Sequence, residues 1–265
     1  MEGKKKKSNL LMNIILVIAL GVFAFSGYKI YQIYADYKAI DEEYETIKEE
    51  YVIEGVMIEE NEGEEAEEVV DVFKVDFDSL LALNDDVIGW IRFDEPAIIS
   101  YPIAQGVDND QYLRRSLKGE YLTAGTIFVD YQNDDDFRDD NTVIYGHNMR
   151  NGSMFGQLKK YRDKEFCESY PYFYIYTVDG REITYQIFAV KVVLDTSETY
   201  DKIYADDEEF QGYINKIYQD AVYTSDDVSV TAENKIVTLS TCVSGSERDR
   251  LVVYGVAISE VETGE

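Results

Sequence analysis

The chain has 265 residues, which is enough for one domain with a sizeable core and additional segments. Its formal net charge of −28 repels phosphate and therefore excludes nucleic acid as a partner. An aromatic content of 14%, with 23 tyrosines and three prolines, excludes disorder over most of the length.

The N-terminus combines a basic cluster with an apolar run. Four lysines at positions 4–7 precede a nearly continuous apolar stretch from Leu10 to Phe25. This pattern is typical of a cleaved signal peptide or of an uncleaved signal anchor. Because tyrosines follow at positions suited to an interfacial belt, we expect residues 1–34 to form a cytoplasmic basic tail and a single transmembrane anchor. The rest of the chain would then lie outside the cell.

Residues 35–71 are predicted to form an acidic helical stalk and linker. Apolar residues recur at alternating spacings of three and four between Ile30 and Tyr51, which indicates a helical seam. Both an amphipathic helix that leans on the membrane or the domain and a short homodimeric coiled coil are compatible with this seam. Residues 41–71 carry fifteen acidic residues and one lysine, and the part from Glu59 to Asp71 lacks the seam, which predicts a solvated linker.

The folded domain is predicted to span residues 72–265. It should begin with a short helix at Phe77–Leu83, followed by a strand that contains Trp90. A second helix is expected where Phe210, Ile214, Ile217 and Ala221 repeat at helical spacing. Many short strands with few helices favour a closed or nearly closed β-barrel. The further predicted strands are Ala97–Ile103, Thr126–Asp130, Thr142–Tyr145, Tyr172–Thr177, Glu182–Leu194, Lys235–Thr241 and Leu251–Ile258.

The chain has two cysteines, which are too few for a disulfide framework although they could pair once. Cys167 is interpreted as a packing residue between a helix and a strand. Cys242 closes a predicted strand and is followed by a polar turn, so that at least partial exposure is expected. A nucleophilic thiol needs exposure and a nearby positive charge, and Arg250 opens the returning strand. Residue types alone leave a nucleophile and a passive thiol equally open.

His147 is the only histidine, and it follows a predicted strand and Gly146, which is expected to supply backbone freedom. A thiol nucleophile uses an imidazole as general base and later as general acid, so His147 is the candidate for that role. Taken alone, a loop histidine without a role is the commoner interpretation. An arginine that stabilises an oxyanion would complete the set. Arg250 is preferred over its rival Arg248 because it adjoins the apolar strand Leu251–Val253.

Several segments resemble the sortases, and class B in particular. The resemblance covers about residues 76–258 in consistent order. It rests mainly on TLSTC at 238–242, RLVVYG at 250–255 and YGHNMRNGSMFG at 145–156. Further matching segments are NDDVIGWI at 84–91, YPIAQGVDNDQYL at 101–113, GTIFVD at 125–130 and the helix-containing insert at 195–232.

The resemblance implies a mainly β fold, namely an eight-stranded β-barrel with peripheral helices, preceded by the transmembrane helix and the acidic stalk. Cys242 would be the nucleophile, His147 the general acid/base, and Arg250 the group that stabilises the oxyanion and orients the substrate. The enzyme would cleave an Asn-Pro-x-Thr-like sorting motif after its Thr through a thioacyl-enzyme, without a cofactor or metal.

The implied partners are secreted proteins with a C-terminal sorting signal, an amine of a peptidoglycan precursor, and the membrane of a Gram-positive cell. The segment VSGSERD between Cys242 and Arg250 is shorter than in some class B members, so the loop above the site is expected to differ. The implied substrate-binding residues are Asn109, Leu113, Tyr145, Thr196, Tyr200 and Ser240.

Three other interpretations of the residues stay open. A cysteine hydrolase of another fold would share the Cys/His pair but usually has an Asn or Asp orienter and helical context around the cysteine. A non-catalytic surface module would suit the anchor and stalk equally well and would show no thiol-dependent reaction. A zinc site needs four ligands, and one histidine with two cysteines falls short of that number without a carboxylate.

Overall fold

The computed structural model describes residues 2–60 and 67–263, with side chains described for residues 12–55 and 72–263. The chain divides into two compact units, Met1–Glu43 and Tyr44–Glu265. The domain boundaries at residues 34 and 71 stay a prediction.

Helix α1 runs from Glu2 to Tyr51. Its apolar part has a mean hydropathy of 2.0 over an 18-residue window that is fully exposed. Within the described ranges, α1 is the one helix long and apolar enough to cross a membrane, and a signal sequence would meet the same criteria. Its last turns belong to the second unit, where Tyr44 and Ile47 are buried.

A two-stranded antiparallel sheet follows α1 and consists of β1 (Val52–Glu60) and β2 (Glu67–Val75). This differs from the solvated linker predicted up to Asp71, of which residues 61–66 lie outside the described part. The alternation at the end of β2 explains the difference, because Phe73 and Val75 share one face and are buried. The Phe73 ring lies 4.7 Å from the Tyr176 ring, measured between centroids.

Short strands of the second unit form one sheet that closes on itself. They are β3 (Val87–Phe93), β4 (Ile99–Gln105), β5 (Ile127–Val129), β6 (Asn141–Tyr145), β7 (Tyr172–Thr177), β8 (Arg181–Leu194), β9 (Tyr223–Thr224), β10 (Ile236–Cys242) and β11 (Asp249–Glu262). The strand order is β11-β10-β6-β5-β4-β3-β7-β8, and β8 pairs with β11 to complete an eight-stranded barrel. The two-residue β9 extends the sheet beside β8. The closed barrel is confirmed, and its strands match the predicted ones to within a few residues.

The helices lie around this barrel. Helix α2 (Phe77–Leu83) has the predicted bounds, and Asp76 caps it by accepting a hydrogen bond from the Ser79 N–H at 3.1 Å. Two 3₁₀ helices (Phe155–Arg162 and Glu198–Tyr200) and two α-helices complete the set, α3 (Lys164–Ser169) and α4 (Asp207–Tyr218).

Helix α4 is amphipathic and packs on the barrel. Phe210, Ile214 and Ile217 are buried in one cluster with side chains of β8, β10 and β11. The helix ends earlier than the spacing predicts, so that Ala221 lies outside it. The reason is local, because Asp220 adopts a φ of 55° after the last helical turn.

Candidate active site

Strands β6 and β10 lie side by side and run parallel, with Tyr145 paired to Ser240. Beyond this pair, the Gly146 N–H donates to the Ser240 carbonyl at 3.2 Å, and the Thr241 hydroxyl donates to the Gly146 carbonyl at 2.7 Å. Parallel strands end at the same edge of a sheet. The residues that follow, His147 and Cys242, are therefore carried to the same end of the barrel.

Cys242 is the last residue of β10 and is exposed. Across the β10–β11 hairpin its direct partner is Arg250, and residues directly opposite in an antiparallel pair present their side chains on one face. The Val243 N–H donates to the Asp249 carbonyl at 3.0 Å and closes the connecting loop. Gly245 allows that turn because its φ is +86°.

The His147 ring is half-buried, and its Nε2 lies 2.8 Å from the Leu113 carbonyl oxygen. A carbonyl only accepts hydrogen bonds, so Nε2 carries the proton and Nδ1 holds the lone pair. Burial lowers the pKa of His147, and the positive charge of Arg114 lowers it further, whereas the hydrogen bond to Leu113 opposes these effects. The imidazole is therefore neutral near pH 7 and can accept a proton at Nδ1.

Gly146 is required for space rather than for backbone freedom, which corrects the expectation from the sequence. Its φ lies outside the left-handed region. A Cβ atom at this position would lie 2.7 Å from the Cγ and Cδ2 atoms of Phe155, whose ring is fully buried. The close approach of Phe155 fixes the main chain immediately before His147.

The Arg250 guanidinium is oriented by its own hairpin. Its Nη1 donates to the carbonyls of Glu247 at 2.9 Å and Asp249 at 3.2 Å. Its Nη2 lies 3.8 Å from Oδ2 of Asp195. Main-chain carbonyls thus accept both Nη1 hydrogens, and Nη2 and Nε are the nitrogens that can donate hydrogen bonds to a bound substrate.

These residues line one groove with a volume of about 300 Å³. All three predicted catalytic residues line it, as do five of the six predicted substrate-binding residues. Thr196 does not: it is exposed, and its hydroxyl accepts a hydrogen bond from Arg248 Nη2 at 3.3 Å. Its role in binding stays a prediction, as do the roles of the others. The predicted residues in the groove are Asn109, Leu113, Tyr145, His147, Tyr200, Ser240, Cys242 and Arg250.

One wall of the groove is aromatic and hydroxylated. The Tyr145 and Tyr200 rings stack with centroids 6.0 Å apart. The Tyr200 and Ser240 hydroxyl oxygens lie 3.0 Å apart and are hydrogen-bonded. Leu113 remains 39% exposed where the groove opens, which leaves apolar surface for a ligand to cover.

Asp195 and Asn148 contact the segments that carry the catalytic residues and were not predicted from the sequence. Asp195 lines the groove and lies 3.3 Å from Arg248 Nε as well as near Arg250. The Asn148 amide donates to the Cys242 carbonyl at 2.8 Å and so ties the two loops together. Asn148 adjoins His147 in the YGHN segment, which is a usable signal, whereas Asp195 reaches the groove only through the β8–β11 pairing.

The second cysteine lies in a different environment. Cys167 is fully buried in α3, its thiol donates to the Tyr161 carbonyl at 3.0 Å, and burial raises its pKa to about 12. Both thiols are free. Among the described residues, no group of three or more His, Cys, Asp or Glu side chains is arranged to hold a metal ion.

Comparison with known proteins identifies the family. A sortase-domain profile matches residues 95–258. Sortase B of Listeria monocytogenes is 36% identical over 260 residues, which covers 97% of this chain and 100% of that protein. The chain belongs to the class B sortases. Sortase B of Staphylococcus aureus is 28% identical over 261 residues and covers 97% of this chain.

Solved structures agree with the class B sortase assignment. The structure of sortase B from Bacillus anthracis in complex with AAEK1 matches with a TM-score of 0.69 at 34% identity, covering 85% of this chain and 99% of that one. The S. aureus sortase B–substrate complex matches with a TM-score of 0.64 at 30% identity, covering 69% and 85%. The family resemblance and the barrel expected from it are confirmed, and membership implies a transpeptidase that acts on sorting-signal substrates.

Proposed function

We propose that this class B sortase cleaves an Asn-Pro-x-Thr-like sorting motif after its Thr and transfers the cleaved protein to an amine of a peptidoglycan precursor. The observation that supports this proposal is the convergence of Cys242, His147 and Arg250 on one groove. A nucleophile, a proton carrier and a fixed cation are the groups that acyl transfer through a thioester requires.

In the first step the Cys242 sulfur attacks the carbonyl carbon of the motif's Thr. The thiol proton passes to Nδ1 of His147, because Nε2–H is already directed to the Leu113 carbonyl. The carbonyl oxygen becomes an oxyanion, which the Nη2 and Nε hydrogens of Arg250 stabilise.

In the second step the tetrahedral intermediate collapses and the peptide C–N bond breaks. The leaving amine takes the proton from His147 Nδ1, and the Thr acyl group remains on Cys242 as a thioester. The precursor amine then attacks the thioester carbonyl and gives a proton to His147. Collapse of the second intermediate forms the new amide bond and returns the proton to the Cys242 sulfur, so the enzyme is restored.

The groove holds the sorting peptide along its walls in this proposal. Asn109 and Leu113 contribute one wall, and Tyr145, Tyr200 and Ser240 contribute the other. Thr196 acts from the rim, where Arg248 orients the loop that would cover the peptide. No cofactor takes part in the reaction.

The N-terminal segment supports a setting at the membrane. The apolar part of α1 serves as a single-pass anchor, with residues 1–34 contributing the cytoplasmic lysines and the span. Residues 35–71 act as an acidic spacer, and residues 72–265 form the catalytic domain on the outer side. In this proposal the groove lies at the surface of a Gram-positive cell, where secreted substrates and peptidoglycan precursors meet.

The test uses the full chain in detergent together with Cys242→Ala and the matched control Cys167→Ala. Each protein is incubated with Asn-Pro-x-Thr peptides, with and without diaminopimelate- or glycine-based amines, and the products are read by mass. We expect a Thr-acyl adduct on Cys242 and an amine-joined product from the wild type and Cys167→Ala, and neither from Cys242→Ala.

Two outcomes would contradict the proposal. Cleavage without any amine-joined product would identify a cysteine hydrolase. No reaction across all motifs and amines would favour a non-catalytic surface module built on the sortase barrel.

A further inference from the structure

The GTIFVD segment ends in a buried carboxylate that the proposed mechanism does not use. Asp130 directly follows β5 and is only 1% exposed. Its main-chain N–H donates to the Val143 carbonyl at 2.9 Å, and its carbonyl accepts from Gln105 Nε2 at 3.0 Å. Asp130 does not line the groove, but it lies directly behind residues that do.

One oxygen of this carboxylate receives three donors from three different segments. Oδ2 accepts from Asn109 Nδ2 at 2.9 Å and from the Tyr145 hydroxyl at 2.9 Å, and it lies 3.2 Å from Lys202 Nζ. The other oxygen, Oδ1, accepts from the Gln132 N–H at 3.1 Å. The carboxylate therefore links the segment after β4, the end of β6 and the loop before α4.

Asp130 is ionised at neutral pH despite its burial. Burial by itself raises the pKa, but hydrogen bonds from Gln132, Asn109 and Tyr145 and the charge of Lys202 together lower it below the usual value. The Lys202 side chain is itself only 10% exposed. A buried ion pair adds little stability compared with apolar packing, so this pair is better explained by the groups that it orients.

The charge on Asp130 determines which groups of Tyr145 and Asn109 remain to donate to or accept from a ligand. Tyr145 gives its single hydroxyl hydrogen to Asp130, so its oxygen can only accept from a ligand. Asn109 uses one Nδ2 hydrogen for Asp130, and its Oδ1 accepts from the Tyr131 N–H at 3.1 Å. The second Nδ2 hydrogen has no partner in the part of the chain that the structure describes. The pair thus offers one acceptor and one donor.

Lys202 extends the effect of Asp130 to the loop that carries Tyr200. Its Nζ donates to the Tyr200 carbonyl at 2.9 Å while it pairs with Asp130. The Tyr200 ring stacks on Tyr145, and its hydroxyl is hydrogen-bonded to Ser240. The loop that carries Tyr200 is therefore held to the barrel through the same carboxylate.

We propose that Asp130 is a positioning residue for the sortase reaction, which sets Asn109 and Tyr145 as a donor–acceptor pair for an amide group of the sorting peptide. Through Lys202 it also holds the wall that carries Tyr200. This inference rests on the proposed function, because it concerns how the same groove selects its peptide. A peptide amide has one donor and one acceptor side, which is the complement of this pair.

The primary test is Asp130→Asn in the full chain in detergent, with an Asn-Pro-x-Thr peptide and an amine acceptor. The variant keeps the shape of the side chain but removes its charge. In either orientation its NH2 group faces donors that need an acceptor, namely Tyr145 and Asn109 or the Gln132 N–H. We expect the peptide KM to rise about tenfold or more while kcat changes less than about threefold, because the reacting groups are untouched. Asp140→Asn is the matched control, since it makes the same change in the exposed Asp140–Lys235 pair at the other end of β6 and should leave both constants unchanged.

A double-mutant cycle with Tyr145→Phe separates positioning from general destabilisation. If Asp130 acts through the Tyr145 hydroxyl, Asp130→Asn should weaken binding less in the Tyr145→Phe background than in the wild type. Peptide binding measured on the Cys242→Ala protein gives the same comparison without turnover. Full additivity of the two changes would overturn the proposal, and so would an unchanged KM in Asp130→Asn.

Two further results keep the inference distinct from the proposed function. If Asp130→Asn does not fold, Asp130→Glu keeps the charge but displaces the oxygens, and it should still raise the KM. An unchanged KM there would overturn the inference. If the wild type forms the amine-joined product and the Asp130 variants react equally well, only this inference is wrong. If the wild type neither reacts with nor binds any peptide, both this inference and the proposed function are wrong.

Discussion

Cys242 and Arg250 are direct partners on the last rung of the β10–β11 ladder. Their side chains face the same groove because the antiparallel register places opposite residues on one face. The loop VSGSERD lies beyond this rung, so a shorter loop changes the cover of the site without changing the Cys–Arg pairing. That Cys242 and Arg250 line the same groove is thus a consequence of strand register.

Arg250→Ala is expected to slow formation of the thioacyl-enzyme by about 100- to 1,000-fold, because an oxyanion donor is lost. Arg250→Lys should give an intermediate loss, since it keeps the charge but not the planar fork of donors. Single-turnover mass spectrometry of the adduct on Cys242 measures this rate. The comparison is Arg248→Ala at saturating peptide, where an effect on the covering loop does not limit the rate. It removes an exposed ion pair with Asp195 and should change the acylation rate less than about threefold. Equal losses at both arginines would contradict the assignment of Arg250.

His147 should make the fold less stable as the pH falls below its usual pKa of about 6.5. Burial lowers the pKa of His147 in the folded state, so the unfolded chain binds the proton first. The stabilising contribution is fully present above pH 6.5 and is lost as the pH falls through the lower folded-state pKa. Because the chain has one histidine, His147→Gln should remove this part of the pH dependence.

The measurement is the melting temperature of wild type and His147→Gln at a series of pH values from 8 to 5. Below pH 6.5 the melting temperature of the wild type should fall relative to that of His147→Gln. Parallel curves for the two proteins over this range would show that the histidine is not buried as described.

The two cysteines should differ sharply in reactivity. Cys242 is exposed, whereas Cys167 is fully buried and its pKa is raised to about 12. Iodoacetamide at pH 8 should therefore alkylate Cys242 alone in the native protein and both residues in guanidinium chloride. Peptide mapping by mass spectrometry reads the sites. Labelling of native Cys167 at a rate similar to Cys242 would contradict the described burial.

Gly146→Ala should disturb the site through packing. The added methyl group would lie 2.7 Å from ring atoms of Phe155, so either the ring or the main chain before His147 has to move. We expect a loss of about 1–3 kcal/mol in the free energy of unfolding and a slower acylation step. Urea denaturation and single-turnover kinetics measure the two effects.

The double variant Gly146→Ala with Phe155→Leu tests the cause of that loss. The smaller side chain makes room for the methyl group, so acylation should recover towards the rate of Phe155→Leu alone. No recovery would indicate that the backbone conformation of Gly146, rather than its contact with Phe155, is the constraint.

The local sequence pattern was sufficient to predict most strands and helices of the barrel domain. The bounds of α2 and β7 agree with the predicted Phe77–Leu83 and Tyr172–Thr177, because capping, alternation and turn residues act within a few positions. The acidic stretch before Val72 was the least predictable part. Its charge favours a linker, whereas the buried Phe73 and Val75 hold the end of a hairpin against the barrel.

The candidate site was predictable as a set of residues but not as an arrangement. The reason for Gly146 depends on how Phe155, at the start of the first 3₁₀ helix, packs back against it. The contact of Asp195 with Arg250 and the position of Thr196 outside the groove depend on neighbours that come from distant segments. Residue spacing carries no information about such contacts, because the strands that make them pair across long stretches of chain.

The sequence by itself determined the barrel strands, the anchor-like helix and the Cys242–Arg250 rung, since a hairpin brings residues eight positions apart into register. Only the tertiary structure decided that His147 lies beside the end of β10, because the parallel pairing of β6 with β10 joins segments about 95 residues apart. It also decided that Asp130 is buried and ionised behind the groove, since burial and the donors that offset it come from three separate segments. Ladder hydrogen bonds and packing select such long-range pairs, and local propensity does not encode them.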